Sequence, residues 1–154
     1  MQLMEEAAGG WAAVYKDTAS GRFWMKCYTT AGEQQGAYEL LIKLPLPKTN
    51  ELISAALESP HEDEVVAAIM RLLEEEALEK KDFRHLLVAR LQELDPQSIT
   101  AAQTQRIRKI ITLTSLADPT NKREVKGKSL NQLKADAAYF EAVSKNALKL
   151  LDKL

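Results

Sequence analysis

The sequence predicts an α+β chain: a short N-terminal antiparallel three-stranded sheet packed on a C-terminal four- or five-helix bundle, mostly helical. Six of the nine aromatic residues and five of the six glycines lie in residues 1–44, the mix expected of strands joined by turns. From residue 49 onward apolar residues recur every three to four positions, which is the period of an amphipathic helix. Pro45 and Pro47 stand at the seam; neither donates a backbone hydrogen bond, so a strand ladder ends there. At 154 residues, 45% hydrophobic and 28% charged, the chain is expected to be a single globular domain, with a sheet-rich part at 1–47 and a helical part at 48–154.

The strands are predicted at residues 11–16, 22–29 and 37–44, linked by turns at 17–21 and 31–36. Alternation sets Phe23, Met25 and Cys27 on one face of the second strand and Trp24, Lys26 and Tyr28 on the other, because successive strand side chains point to opposite sides. In the third, Tyr38, Leu40 and Ile42 oppose Glu39, Leu41 and Lys43.

A short helix over 50–58 carries Leu52, Ile53, Ala56 and Leu57. Ser59-Pro60 then reads as an N-cap and first-turn proline of a helix running to residue 79, with Val65, Val66, Ile69, Leu72 and Leu73 as its core stripe. Asp82 is expected to cap a third helix with Phe83, Leu86, Leu87, Leu91 and Leu94 inside, and Asp95-Pro96 or Ser98 to start a fourth through Ile107, Ile110 and Ile111. Ser129 is expected to cap a long last helix in which Leu130, Leu133, Ala137, Phe140, Ala147, Leu151 and Leu154 follow the helical turn. The helical pairs lack a recurring signature, so antiparallel packing explains them better than a solenoid of repeats.

Net charge is −1, but residues 1–80 hold 7 basic and 14 acidic side chains while 81–154 hold 14 and 8. Such a division points to charged faces suited to a charged partner. Between residues 58 and 79 eight acids stand against Arg71 alone. Glu62, Asp63 and Glu64 suit the first turn of a helix, whose macrodipole favours negative charge. Glu74, Glu75 and Glu76 sit near its C-terminus, where that dipole opposes them by roughly 0.3–1 kcal/mol each, so a basic partner is a natural explanation. The basic stretch Arg106, Arg108, Lys109, Lys122, Arg123, Lys126 and Lys128 has no interleaved aromatic residue to stack on bases; direct nucleic-acid contact is not expected.

Catalytic signatures are scarce. Cys27 is the sole cysteine and reads as a small buried hydrophobe, with no partner for a disulfide or a cysteine-rich zinc site. His61 lacks the spacing of a metal motif, and His85 reads as a buried or half-buried neutral imidazole. No nucleophile elbow, phosphate loop or dinucleotide fingerprint occurs. No cofactor, metal or small-molecule substrate is inferred, and an enzyme without a recognisable motif stays a rival class beside a helical protein-binding scaffold. No apolar run approaches the ~20 residues of a membrane span, and the first six residues lack a secretory leader's pattern, so a cytoplasmic location is expected.

Residues 11–28 carry the string Trp11-Ala12-Ala13-Val14-Tyr15-Lys16-Asp17, then Gly21-Arg22-Phe23-Trp24 and Tyr28, or W-x3-Y-x-D-x3-G-R-x-W-x3-Y. This pattern resembles the start of small bacterial immunity proteins, the cytoplasmic antidotes of polymorphic or contact-dependent toxin systems; the resemblance spans about residues 10–45. It implies an inhibitor that binds a cognate toxin domain, and many such toxins are nucleases with cationic clefts. Under it, Glu62, Asp63, Glu64, Glu74, Glu75 and Glu76 are the first candidate contacts, and the face bearing Trp24 and Tyr28 the second.

Overall fold

The structure, a computed structural model, describes residues 1–29 and 37–154. The chain is α+β and falls into two compact units, Met1–Glu75 and Glu76–Leu154. The turn expected at 31–36 lies outside the described residues.

Among the described residues four strands, one more than expected, form an antiparallel sheet of order β1-β2-β3-β4: β1 Gln2–Ala7, β2 Ala12–Lys16, β3 Phe23–Thr29 and β4 Tyr38–Lys43. The extra strand is β1. Its Leu, Met, Glu and Ala favour a helix in isolation, and all six residues are exposed, so neither propensity nor alternation marks it as a strand. The turn Ala8–Gly10 recruits it: Gly9 and Gly10 take φ of 64° and 94°, which only glycine adopts freely, and the chain doubles back to pair Ala7 with Ala12 and Gln2 with Lys16. A register shift between Leu3 and Glu5 marks a bulge, a common way of blunting an edge strand.

The β2–β3 connection is the D-x3-G turn. Asp17 N–H donates to the Arg22 carbonyl and Gly21 N–H to the Asp17 carbonyl, both at 2.8 Å. The Asp17 carboxylate accepts from Ala19 N–H at 3.1 Å and from the Ser20 hydroxyl, bonds that hold its pKa below the ordinary carboxylate value. Gly21 has φ of 71°, so the motif's glycine supplies the left-handed step that closes the turn.

Helix α1 spans Thr49–Glu58 and buries Leu52, Ile53 and Ala56; Glu51 accepts from Lys48 N–H at 2.7 Å to cap it. Helix α2 spans Glu62–Glu79, and every residue from Ala68 to Leu73 is buried. Burial on all sides, rather than along one stripe, makes α2 a core helix. Each fully buried Ile or Leu there stabilises the fold by roughly 1.5–3 kcal/mol. Ser59 is the C-cap of α1, not the N-cap of α2. The first bond of α2 runs from Val65 N–H to the His61 carbonyl at 3.1 Å, and the Ser59 hydroxyl accepts from His61 N–H at 3.1 Å.

The second unit contains α3 Arg84–Gln92, α4 Ala101–Leu113 and α5 Leu130–Leu151, with α3 packed on α5. Ser129 caps α5 as expected, its hydroxyl accepting from Gln132 N–H. The other two starts differ from expectation. The N-cap of α3 is Phe83, because the Asp82 carboxylate is taken by the Tyr139 hydroxyl. The N-cap of α4 is Thr100, which forms a reciprocal box with Gln103; Asp95 instead accepts from Gln97 N–H within the preceding turn. Leu86, Leu130 and Ala137 are exposed, and Arg84 and Asp136 are buried. The stripe of α5 therefore runs through Asp136, Phe140, Val143 and Ala147. Among the described residues, no helix is long and apolar enough to cross a membrane.

Candidate partner-binding site

The two acidic triplets of α2 meet different fates. Glu62, Asp63 and Glu64 are exposed on its first turn, with the Ser59 hydroxyl bonded to Glu64. Glu62 and Asp63 stand at the rim of a groove of about 350 Å³ whose walls are β4 and α2, lined by Tyr38, Leu40, Val66 and Met70. Glu74, Glu75 and Glu76, expected as contacts, are instead held within the protein. Arg71, itself 8% exposed, reaches Glu74 at 2.8 Å and Glu75 at 3.3 Å. Glu75 is 2% exposed and also accepts from the Thr49 hydroxyl at 3.4 Å. Arg84 grips Glu76 with two bonds of 2.7 and 2.8 Å. These pairs explain why acids persist at the unfavourable end of the helix: buried arginines offset the dipole and their own desolvation through charge-assisted hydrogen bonds.

The aromatic residues converge on one surface. Register places Leu3, Tyr15, Trp24 and Lys43 in one row across the four strands, Glu6, Ala13, Lys26 and Leu41 in the next, and Tyr28 beside Glu39 in a third. The opposite face carries Met25 and Cys27 beside Ile42 and Leu40, and Leu40 and Ile42 are buried. Burial raises the Cys27 thiol pKa, consistent with an inert packing role.

On the aromatic face, Trp24 and Tyr28 are half-buried, while Leu3, Leu41 and Trp11 keep 50%, 47% and 56% exposure. Trp11 meets Tyr28 edge to face at 5.3 Å, a geometry that the ring quadrupoles favour. The Tyr28 hydroxyl donates to Glu39 at 2.7 Å, and Lys26 reaches the same carboxylate at 3.1 Å while lying 5.5 Å from the Tyr28 ring. Tyr28 first, then Lys26, holds the Glu39 carboxyl below its ordinary pKa, and Glu39 in turn raises that of Lys26. The result is large apolar and aromatic area with charges fixed among it. Alternation identifies Trp24 and Tyr28; it does not reach Leu3, whose strand carries no alternating pattern, or Trp11, which lies just before β2.

Elsewhere, His85 is exposed rather than buried or half-buried, and its backbone N–H donates to the Tyr139 oxygen at 3.2 Å. Among the described residues, no group of three His, Cys, Asp or Glu side chains is placed to hold a metal ion. The basic stretch divides: Lys122, Arg123, Lys126 and Lys128 line one cavity, and Arg106, Arg108 and Lys109 on α4 do not join it. Comparison with protein-family models, curated proteins and solved structures finds no match.

Proposed function

We propose that this chain is a bacterial immunity protein that acts in the cytoplasm by binding and neutralising a cognate toxin domain, through the aromatic face of its sheet. One observation carries the proposal. Trp11, Tyr15, Trp24 and Tyr28, the four aromatics of the W-x3-Y…W-x3-Y pattern, sit together on the face opposite the buried Leu40 and Ile42. A hydrophobic core demands apolar residues on one face of a sheet; it does not demand two tryptophans and two tyrosines on the other. Such residues are the usual anchors of protein–protein interfaces, where a rigid ring fills a pocket and a polar tip keeps its hydrogen bond. Glu62 and Asp63, exposed on α2, supply negative charge that would steer a cationic toxin and speed encounter.

The test is protection. Cells making the toxin domain encoded beside this gene should grow when the wild-type chain is co-expressed. They should fail to grow with Trp24→Ala or Tyr28→Ala variants that retain wild-type circular dichroism. Full protection by both folded variants would rule out this face, and no protection by the wild type would rule out the function.

A further inference from the structure

The second unit holds a cavity of about 650 Å³ whose walls are the end of α2, the segment after it and the loop at 122–128. Its lining is strongly cationic: Lys80, Lys81, Lys122, Arg123, Lys126 and Lys128 against Glu76 and Glu124. From this enclosure of like charges we infer that the cavity is a binding site for a compact polyphosphate anion, a function separate from toxin binding.

Each lining cation except Lys126 has an acidic neighbour, in pairs that are partly open to solvent: Lys81 meets Glu79 at 2.8 Å and Lys122 meets Asp118. Glu76 faces Arg84, whose two bonds already neutralise it. Asp136 serves two cations at once, Arg123 at 2.8 Å and Lys128, and Arg123 also meets Asp82 at 3.8 Å. Glu124 meets Lys80 at 3.9 Å with both side chains more than 60% exposed, a pair worth little in water. Lys126 is exposed and has no ion-pair or hydrogen-bond partner among the described residues. An anion entering the cavity therefore gains charge-assisted bonds from Lys126 and competes at Lys80 and Lys81 with exposed pairs that are worth little in water.

The lining also selects the kind of anion. The volume lies within the ~300–1,000 Å³ of small-molecule sites, which suits a compact ligand better than a duplex. No aromatic ring lines the cavity, so nothing there stacks a base. The Arg123 guanidinium is committed, bonded to Asp136 and lying 4.3 Å from the Tyr139 ring. Recognition falls to lysine ammonium groups, point charges that take phosphate oxygens without demanding one orientation. Several lysines around a small volume favour a dense, multiply charged phosphate chain over a single phosphate.

Calorimetric titration of the full chain with inorganic tripolyphosphate tests this, with orthophosphate and a 12-nucleotide single strand as the other arms. The expected order is tripolyphosphate far tighter than orthophosphate, with Lys126→Glu weakening tripolyphosphate at least tenfold. Arg108→Glu, the same charge change on exposed Arg108 outside the cavity, is expected to leave the affinity within twofold. Three results would overturn the inference: no tripolyphosphate binding at millimolar concentration, equal losses from both variants, or tighter binding of the oligonucleotide than of tripolyphosphate. None of these results bears on toxin protection, so the two functions fail independently.

Discussion

At the scale of single residues, the buried arginines hold part of the acidic run inside the protein. Arg84 is 3% exposed; besides Glu76 it donates to the Thr114 carbonyl at 2.6 Å and lies within 5.4 Å of the Phe83 and Phe140 rings. Truncation would strand a largely buried carboxylate and a buried carbonyl. Arg84→Ala should therefore cost about 3–5 kcal/mol in urea denaturation, whereas Lys81→Ala, which breaks an exposed pair with Glu79, should cost about 1 kcal/mol at most. Similar losses for both would mean that Arg84 is not the anchor its contacts indicate. On the sheet, Tyr28→Phe removes the bond that most lowers the Glu39 pKa. A depressed carboxylate stabilises the fold above its unfolded pKa, near 4.5 here, and that contribution is lost as pH falls through the lower folded value. In the Phe variant the Glu39 midpoint, followed by carboxyl NMR, should move up toward 4.5; an unchanged midpoint would show that Lys26 alone sets it.

At the scale of elements, local chemistry was legible where the side chain that makes a bond also sits at the position that needs it. The D-x3-G turn and the Ser129 cap are such cases. Thr100 is hard to tell from Asp95 and Ser98 as the cap because several good capping residues crowd into residues 95–100, and sequence alone does not say which one the chain holds in extended conformation. Asp82 failed for another reason: a tyrosine 57 positions away claims its carboxylate, and such long-range partners leave no local trace. Thr100→Ala and Ser129→Ala should each cost about 1 kcal/mol in thermal or urea unfolding, while Ser98→Ala should stay within about 0.5 kcal/mol. The reverse order would return the cap to Ser98. Strand β1 was hidden because pairing with β2, and not its own residues, makes it a strand.

At the scale of the whole chain, the division of charge in the sequence resolved into different uses. The acidic run of α2 splits into an exposed first turn and a set of buried ion pairs, so reversing Glu74, Glu75 or Glu76 is expected to unfold the protein rather than to slow its encounter with a partner. The basic run splits as well, with four of its members gathered at one cavity. Trp24 and Tyr28 were legible as candidates because a period of two assigns faces reliably; that Trp11, Leu3 and Leu41 join them required the register of four strands. Under the proposed function the aromatic face is the docking surface, and Glu62 and Asp63 are the steering charges. The most direct measurement is the association and dissociation kinetics of the purified chain with a toxin domain against which it protects cells. Trp24→Ala should raise the dissociation rate at least tenfold with association nearly unchanged, and Glu62→Lys with Asp63→Lys should slow association, most strongly at low salt. Wild-type kinetics in the folded Trp24→Ala variant would contradict the assignment of this face.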